Sequence, residues 1–223
     1  MSLAKKLGIF CTIWIGVSAC AWAQFMHQGG AHPPQMPSTF RPVVGSGAQY
    51  QMTSKDGTVD FSYAVVGKEQ VGGDQGYWLE IRTTGGKMPG EMVMKQLMVM
   101  NASHPEIKRM IMQPPGRPPM EMPMGMMEMM QRRGASGQES GNGGLGEKIG
   151  EETITVPAGA FECEHYRKQE NGKAVDYWIS TKISPYGLVK MTGDDMTMVL
   201  EKTLTHETSH IHGEPQKMDF PHF

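Results

Sequence analysis

Large apolar residues occupy every second position along several stretches of this chain, at residues 59–66, 77–83 and 92–100. Because successive side chains of a strand point to opposite faces of a sheet, this period of two predicts β-strands. The 92–100 stretch has methionines on one side and valines and a leucine on the other, which predicts a central strand covered on both faces. Residues 107–112 predict a shorter fourth strand.

A second group of strands is predicted over residues 147–205. There, short β-branched and aromatic runs are separated by the turn signals Pro157-Ala158-Gly159, Asn171-Gly172 and Ser184-Pro185, a pattern typical of an antiparallel meander. Together the two groups predict a mainly β protein. Its single curled antiparallel sheet, over residues 47–205, would bury apolar surface and protect its edges by curling.

The two groups are separated by a methionine-, proline- and glycine-rich insertion at residues 113–146. Its central part, residues 119–133, is rich in Met, Glu, Gln and Arg, which favour a helix. Proline is tolerated in the first turn of a helix. Glycine, serine and asparagine dominate residues 134–146, as in a flexible loop. We therefore expect a methionine-rich plug segment, able to form a short helix, against the inner side of the sheet.

The N-terminal residues 1–23 have the pattern of a secretory signal peptide. Two lysines precede an apolar stretch at residues 7–19, and Ala21-Trp22-Ala23 forms a small-x-small cleavage site. The apolar stretch is shorter than the roughly 20 residues that a membrane-spanning helix needs. We expect a periplasmic protein without a transmembrane span, in which residues 24–46 form a disordered lead-in and residues 206–223 a C-terminal tail.

An alternative reading of the leader is a lipoprotein signal. Residues 17–20, Val-Ser-Ala-Cys, fit a lipobox in which Cys20 is lipidated and anchors the chain to a membrane surface. The Ala-x-Ala-Gln ending instead favours cleavage after Ala23. A soluble mature chain then keeps Cys163 alone, which excludes an intramolecular disulfide, and we expect Cys163 to be a buried thiol.

The charge composition argues against a nucleic-acid partner. The formal net charge is −2, and it becomes −4 after removal of the leader, which contains two lysines and no acidic residue. No basic block or interleaving of aromatic and basic residues is present. An apolar small molecule, a lipid or another envelope protein is the expected partner.

Methionine is the most distinctive residue type, and fourteen of the 22 methionines lie between Met88 and Met130. Methionine side chains form an adaptable apolar surface, and their thioethers are also soft ligands that favour Cu(I). The main hypothesis is an apolar ligand cavity without a cofactor, with the candidate lining residues Trp78, Met92, Met94, Met98, Met100 and Trp178. The alternative is copper binding, with the candidate ligands Met120, Met122, Met124, Met126, His206, His210 and His212.

Residues 206–210 read His-Glu-Thr-Ser-His and match the H-E-x-x-H motif of zinc proteases. That mechanism needs both histidines on one face of a helix. Here the motif continues a strand pattern and is followed by Gly213 and Pro215, so we interpret the match as coincidental and expect no enzymatic activity. In a strand, His206, His210 and His212 would still share one face.

One stretch carries a resemblance to a known family. Thr155-Val-Pro-Ala-Gly-Ala-Phe-Glu-Cys-Glu-His-Tyr-Arg167, followed by Tyr177-Trp-Ile-Ser180 and Ser184-Pro-Tyr-Gly-Leu-Val-Lys-Met191, resembles uncharacterised periplasmic domains of the lipoprotein-carrier (LolA/LolB-like) superfamily. The resemblance covers residues 147–205 well and residues 48–112 by pattern. It implies a half-barrel around a plugged hydrophobic cavity, with no catalytic residues, and hence a non-enzymatic protein that binds an apolar ligand, a lipid or a lipoprotein segment.

Overall fold

The computed structural model describes residues 40–100, 105–123, 125–126, 145–170 and 172–217. The predicted signal peptide, most of the lead-in, Cys20, Met124 and much of the insertion lie outside the described residues. Within them the chain forms the strands β1 (Ser46–Ser54), β2 (Gly57–Val71), β3 (Asp74–Gly85), β4 (Met92–Met100), β5 (Pro105–Gln113), β6 (Met120–Glu121), β7 (Glu147–Val156), β8 (Gly159–Glu170), β9 (Lys173–Ile179), β10 (Leu188–Thr192), β11 (Met196–Thr205) and β12 (Gln216–Lys217).

All these strands belong to one sheet in the order β12-β6-β5-β4-β3-β2-β1-β11-β10-β9-β8-β7. Neighbouring strands are antiparallel except β12 and β6, which pair in parallel. Strand β1 lies between β2 and β11 and so joins the two predicted strand groups. The prediction of a mainly β protein with a single open, curled antiparallel sheet is confirmed.

Most of the main core of strands β1 to β4 lies on one side of the sheet, here called the inner face. Residues that stand directly opposite in paired strands share a face, and one such row crosses five strands, through Leu200, Tyr50, Phe61, Thr83 and Met92. Apolar residues dominate this row because an alternating strand can bury one set of side chains and leave the other outside.

The loop between β9 and β10 covers part of the inner face. The ring of Tyr186 contacts those of Phe40 and Tyr63. Its centroid lies 5.4 Å from the Phe40 centroid and 5.8 Å from the Tyr63 centroid. The hydroxyl of Tyr50 donates a hydrogen bond to the carbonyl of Leu188 at 3.0 Å. These contacts tie the chain before β1, the first strands and the β9–β10 loop into one aromatic core.

The opposite side of the sheet, the outer face, has its own smaller apolar cluster. Trp78, Leu97 and Ile111 are buried there, on β3, β4 and β5, and Ile211 packs against them. Strand β4 therefore has apolar neighbours on both faces, as its two-sided composition predicts.

Residues 206–217, here called the C-terminal strap, pack on this outer face. The chain turns at His206, whose φ is 60°, and the Glu207 amide donates to the carbonyl of Gly45. Ile211 then covers the outer cluster, and β12 pairs with β6. The sequence pattern predicts a surface tail here. The structure differs because a buried acceptor on β3, Glu80, holds the strap.

The methionine-rich insertion begins as a strand. Met120 and Glu121 pair with Met112 and Ile111, and the Met122 amide donates to the Met110 carbonyl at 2.9 Å. The helix predicted over residues 119–133 is therefore not formed at its start, because pairing with β5 satisfies these backbone groups. A short helical segment is described at residues 125–126.

Candidate functional site

Methionine dominates the inner face at one end of the sheet. The inner-face positions of β4 lie opposite Thr83, Ile81, Leu79 and Tyr77 of β3. The inner-face positions of β5 follow from its pairing with β4, and those of β6 from its pairing with β5. We call this area the methionine surface, and its residues are Met92, Met94, Gln96, Met98, Met100, Ile107, Met110, Met112, Met120 and Met122. Every inner-face position of these strands except Gln96, Ile107 and Pro105 is therefore a methionine.

The methionine surface is only partly covered. Met98 and Met122 are buried, Met100 is 39% exposed, and the other members are half-buried. At β1 and β2, by contrast, Phe40 and Tyr186 cover the same face and leave Tyr50 almost fully buried. The apolar inner face thus continues from a closed aromatic core to a half-exposed methionine area.

Trp78 does not belong to the methionine surface. It pairs with Leu97, one residue out of phase with Met98, and so lies on the outer face. Its indole N–H donates to Glu69 at 3.0 Å, and the cationic groups of Lys95 and Arg109 lie 4.8 and 5.3 Å from its ring centre. The ring is held by cation–π contacts.

Trp178 lies on the opposite face of β9 from Tyr177 and Ile179, since it alternates with them, and it packs there against residues of the main core cluster. Its ring stacks on His165 with centroids 4.5 Å apart, and its N–H donates to Glu152 at 2.7 Å. The six predicted cavity residues therefore divide between two faces, with four methionines inside and both tryptophans outside.

A buried acidic residue, to which no role is assigned from the sequence, accepts several hydrogen bonds on the outer face. Glu80 is 1% exposed and lies beneath the strap. Its carboxylate accepts the Ser209 hydroxyl at 2.8 Å, the His210 backbone N–H at 3.0 and 3.1 Å, and the His210 ring at 2.9 Å. The only sequence signal was a carboxylate between two core positions, Leu79 and Ile81.

Basic residues surround this carboxylate. Lys95 is its cross-strand neighbour and donates to the Ser209 hydroxyl at 3.3 Å. Burial lowers the pKa of Lys95, and the Glu80 carboxylate, which raises it, compensates only in part. Nη1 of Arg82 lies 3.2 Å from Nε2 of His210. Because arginine only donates, Nε2 must accept and Nδ1 carries the proton given to Glu80.

The histidines of the predicted metal site are not brought together. His206 is exposed at the turn, His210 is bound to Glu80, and the exposed His212 has its backbone amide on the Gln113 side chain at 3.1 Å. Residues 206–210 form no helix, so they lack the arrangement that the zinc-protease motif requires. Among the described residues, no group of three or more His, Cys, Asp or Glu side chains could hold a metal ion.

Cys163 is a buried thiol. Its sulfur lies 3.5 Å from the carbonyl of Phe161. Burial, and after it the Glu152 carboxylate, raises the pKa of Cys163 to about 11. The thiolate, which is the reactive form of cysteine, is therefore scarce near neutral pH.

Native Cys163 is expected to resist alkylation by iodoacetamide at about pH 8, near the ordinary thiol pKa. The rate should rise as the pH approaches the raised pKa, because deprotonation supplies the nucleophile. Mass spectrometry of the Cys163 peptide measures the modified fraction, and the same chain in urea is the control. Equal rates in the native and unfolded chains would contradict this assignment.

Several solved structures are similar to this chain at low sequence identity, and three of them are as follows. A predicted exported protein with a YmcC-like fold from Bacteroides fragilis has a TM-score of 0.35 and 14% identity, over 74% of this chain and 99% of its own. A predicted lipoprotein from Parabacteroides distasonis has a TM-score of 0.36 and 14% identity, over 76% and 100%. A β-barrel-like domain of unknown function from Brucella abortus has a TM-score of 0.25 and 12% identity, over 75% and 100%.

At these TM-scores the similarity carries no argument about function, and the resemblance to lipoprotein carriers is not confirmed. The sequence matches no protein-family model and no curated protein. In the part of the chain that the structure describes, no helix is long and apolar enough to cross a membrane.

Proposed function

We propose that this chain is an exported, non-enzymatic protein of the cell envelope that binds an apolar ligand on its methionine surface. The ligand would be a lipid, an acyl chain or an apolar segment of another envelope protein. The leader pattern at residues 1–23 supports export.

One observation carries the proposal: the apolar inner face does not end where its aromatic cover ends. Past Tyr186 and Phe40 it continues as half-buried methionines on three strands, including Met92, Met94 and Met112. Contiguous half-exposed apolar surface is costly to leave in water, and such surfaces commonly mark binding sites.

The chemistry of the methionine surface favours a neutral, flexible ligand. None of its members is charged, and its single amide, Gln96, donates to the sulfur of Met94 at 3.5 Å. Methionine has three rotatable bonds and a polarisable sulfur, so such a surface can adapt to chains of different shape. The charged groups of the same strands, such as Lys95 and Arg109, are engaged on the outer face.

The protein purified from a periplasmic expression host is expected to carry a lipid or acyl species that native mass spectrometry detects. After delipidation it should bind a neutral hydrophobic fluorophore such as N-phenyl-1-naphthylamine, and added fatty acid should displace the probe. A protein that emerges without a ligand and leaves the probe fluorescence unchanged would contradict the proposal.

Met92→Glu is expected to weaken probe binding by at least tenfold, which corresponds to about 1.4 kcal/mol, because it places a charge in the apolar site. The matched control is Ile149→Glu, the same kind of change at a residue of edge strand β7 that is 47% exposed. Fluorescence titration compares the two. An equal loss of probe affinity in both variants would show that the probe reports general surface hydrophobicity and not a specific site.

A further inference from the structure

Three methionines lie side by side across the end of the sheet. The register places Met94 of β4 opposite Met112 of β5, and Met112 opposite Met120 of β6. Directly paired residues of antiparallel strands have Cα atoms about 4.5–5.5 Å apart. Met112 thus has a thioether neighbour on each side, an adjacency that sequence spacing does not reveal.

Two further methionines extend this row. The Met122 amide donates to the Met110 carbonyl at 2.9 Å, which continues the β5–β6 pairing and sets these two residues beside Met112 and Met120. Met110 is in turn paired with Gln96, whose amide is bound to the sulfur of Met94. In that contact the Met94 sulfur accepts a hydrogen bond from an amide, so a thioether lone pair of this row can face a polar group.

We infer that this cluster, Met94, Met112 and Met120 with Met110 and Met122 beside them, is a binding site for a soft monovalent cation, Cu(I) or Ag(I). Neutral thioethers are soft ligands that select Cu(I), whereas Zn(II) prefers thiolate, imidazole or carboxylate. On this face the paired strands present methionine, and the carboxylate of β6, Glu121, is bound to Arg109 on the outer face at 2.8 Å.

Accessibility separates this row from a second methionine row in the same sheet. Met52, Met198 and Met191 are also direct neighbours, across β1, β11 and β10. In this second row Met198 is 0% exposed and Met191 is buried, and only Met52 is half-buried. Met94, Met112 and Met120 are all half-buried, so the first row is open to solvent along its whole length.

Metal binding by this cluster does not depend on binding of the proposed apolar ligand. It depends on sulfur lone pairs, whereas apolar binding depends on hydrophobic area. Exchange of methionine for leucine conserves volume and hydrophobicity and removes the sulfur. A Met→Leu variant therefore tests the metal site alone, and loss of fluorophore binding tests the ligand site.

The test is an Ag(I) titration of the full chain labelled with 13C at the methionine methyl groups, followed by NMR. Ag(I) is a redox-inert probe of the same softness as Cu(I). We expect the methyl signals of Met94, Met112 and Met120 to shift together with one equivalent of Ag(I). The triple variant Met94→Leu, Met112→Leu, Met120→Leu should bind Ag(I) more than about a hundredfold more weakly, beyond the loss typical of removing one supporting group.

The matched control removes the second row, of which Met191 and Met198 are buried, with Met52→Leu, Met191→Leu and Met198→Leu, and should leave Ag(I) affinity unchanged. Zn(II) should shift none of the three methyl signals. Three results would each overturn the site. They are methyl shifts confined to the methionines at positions 124–130, a triple variant that binds Ag(I) as tightly as the parent chain, and Zn(II) binding as strong as Ag(I) binding. Should the triple variant fail to fold, the single variant Met112→Leu and the methyl shifts of the parent chain still show whether Ag(I) binds at this cluster.

Discussion

Replacement of Glu80 by alanine is expected to destabilise the protein by about 2–4 kcal/mol, because it removes a buried acceptor from several half-buried donors at once. The Ser209 hydroxyl, the His210 backbone N–H and the His210 ring all lose their partner. Lys95 also loses the neighbouring negative charge. Groups that are left buried without a partner cost more than the original hydrogen bonds contribute.

Urea unfolding measures this change, and hydrogen exchange locates it. Strap amides, that of His210 above all, should lose protection in Glu80→Ala while the amides of β1 and β2 keep theirs. Glu80→Gln is the matched control, since it keeps one acceptor oxygen and should cost less, about 1–2 kcal/mol. A change below about 0.5 kcal/mol with an unaltered strap would show that Glu80 does not hold it.

Phe61→Ala is expected to be the most damaging substitution in the core, at about 3–5 kcal/mol. Phe61 is 1% exposed on β2, the strand between β1 and β3. Its paired neighbours are Tyr50 and Thr83, and both are buried, so the surrounding side chains cannot easily collapse into the space left behind. The cost combines lost burial with the cavity.

The measurement is again urea unfolding, here with Phe61→Leu as the control. Leucine fills most of the space, and its cost should stay within the range of about 1.5 kcal/mol for conservative core exchanges. A Phe61→Ala protein as stable as the leucine variant would show that the inner face at β2 repacks freely, contrary to the close-packed core described here.

Alternation along single strands predicted which side chains share a face. Met92, Met94, Met98 and Met100 lie together on the inner face, with Leu97 on the other side. The same alternation sets Trp78 apart from Tyr77 and Leu79, and this local signal outweighs the general tendency of tryptophan to line cavities. Such information is readable from sequence because the side-chain period of a strand is local.

Pairing between strands was not predictable in this way. The sequence pattern places Met112 in a predicted strand and Met120 in a predicted helix. In the structure they are direct neighbours across β5 and β6. Register depends on hydrogen bonds and packing between distant segments, and a shift of one residue would turn the whole set to the other face.

The sequence by itself determined the mainly β class, the curled antiparallel sheet and the sidedness of its strands, because these follow from local alternation and turn residues. Only the tertiary structure decided that the C-terminal strap covers the outer face. Its Ser209 and His210 lie about 130 positions from Glu80 along the chain. A buried carboxylate and its donors satisfy one another only after the sheet has formed, so their partnership leaves no periodic signal in the chain.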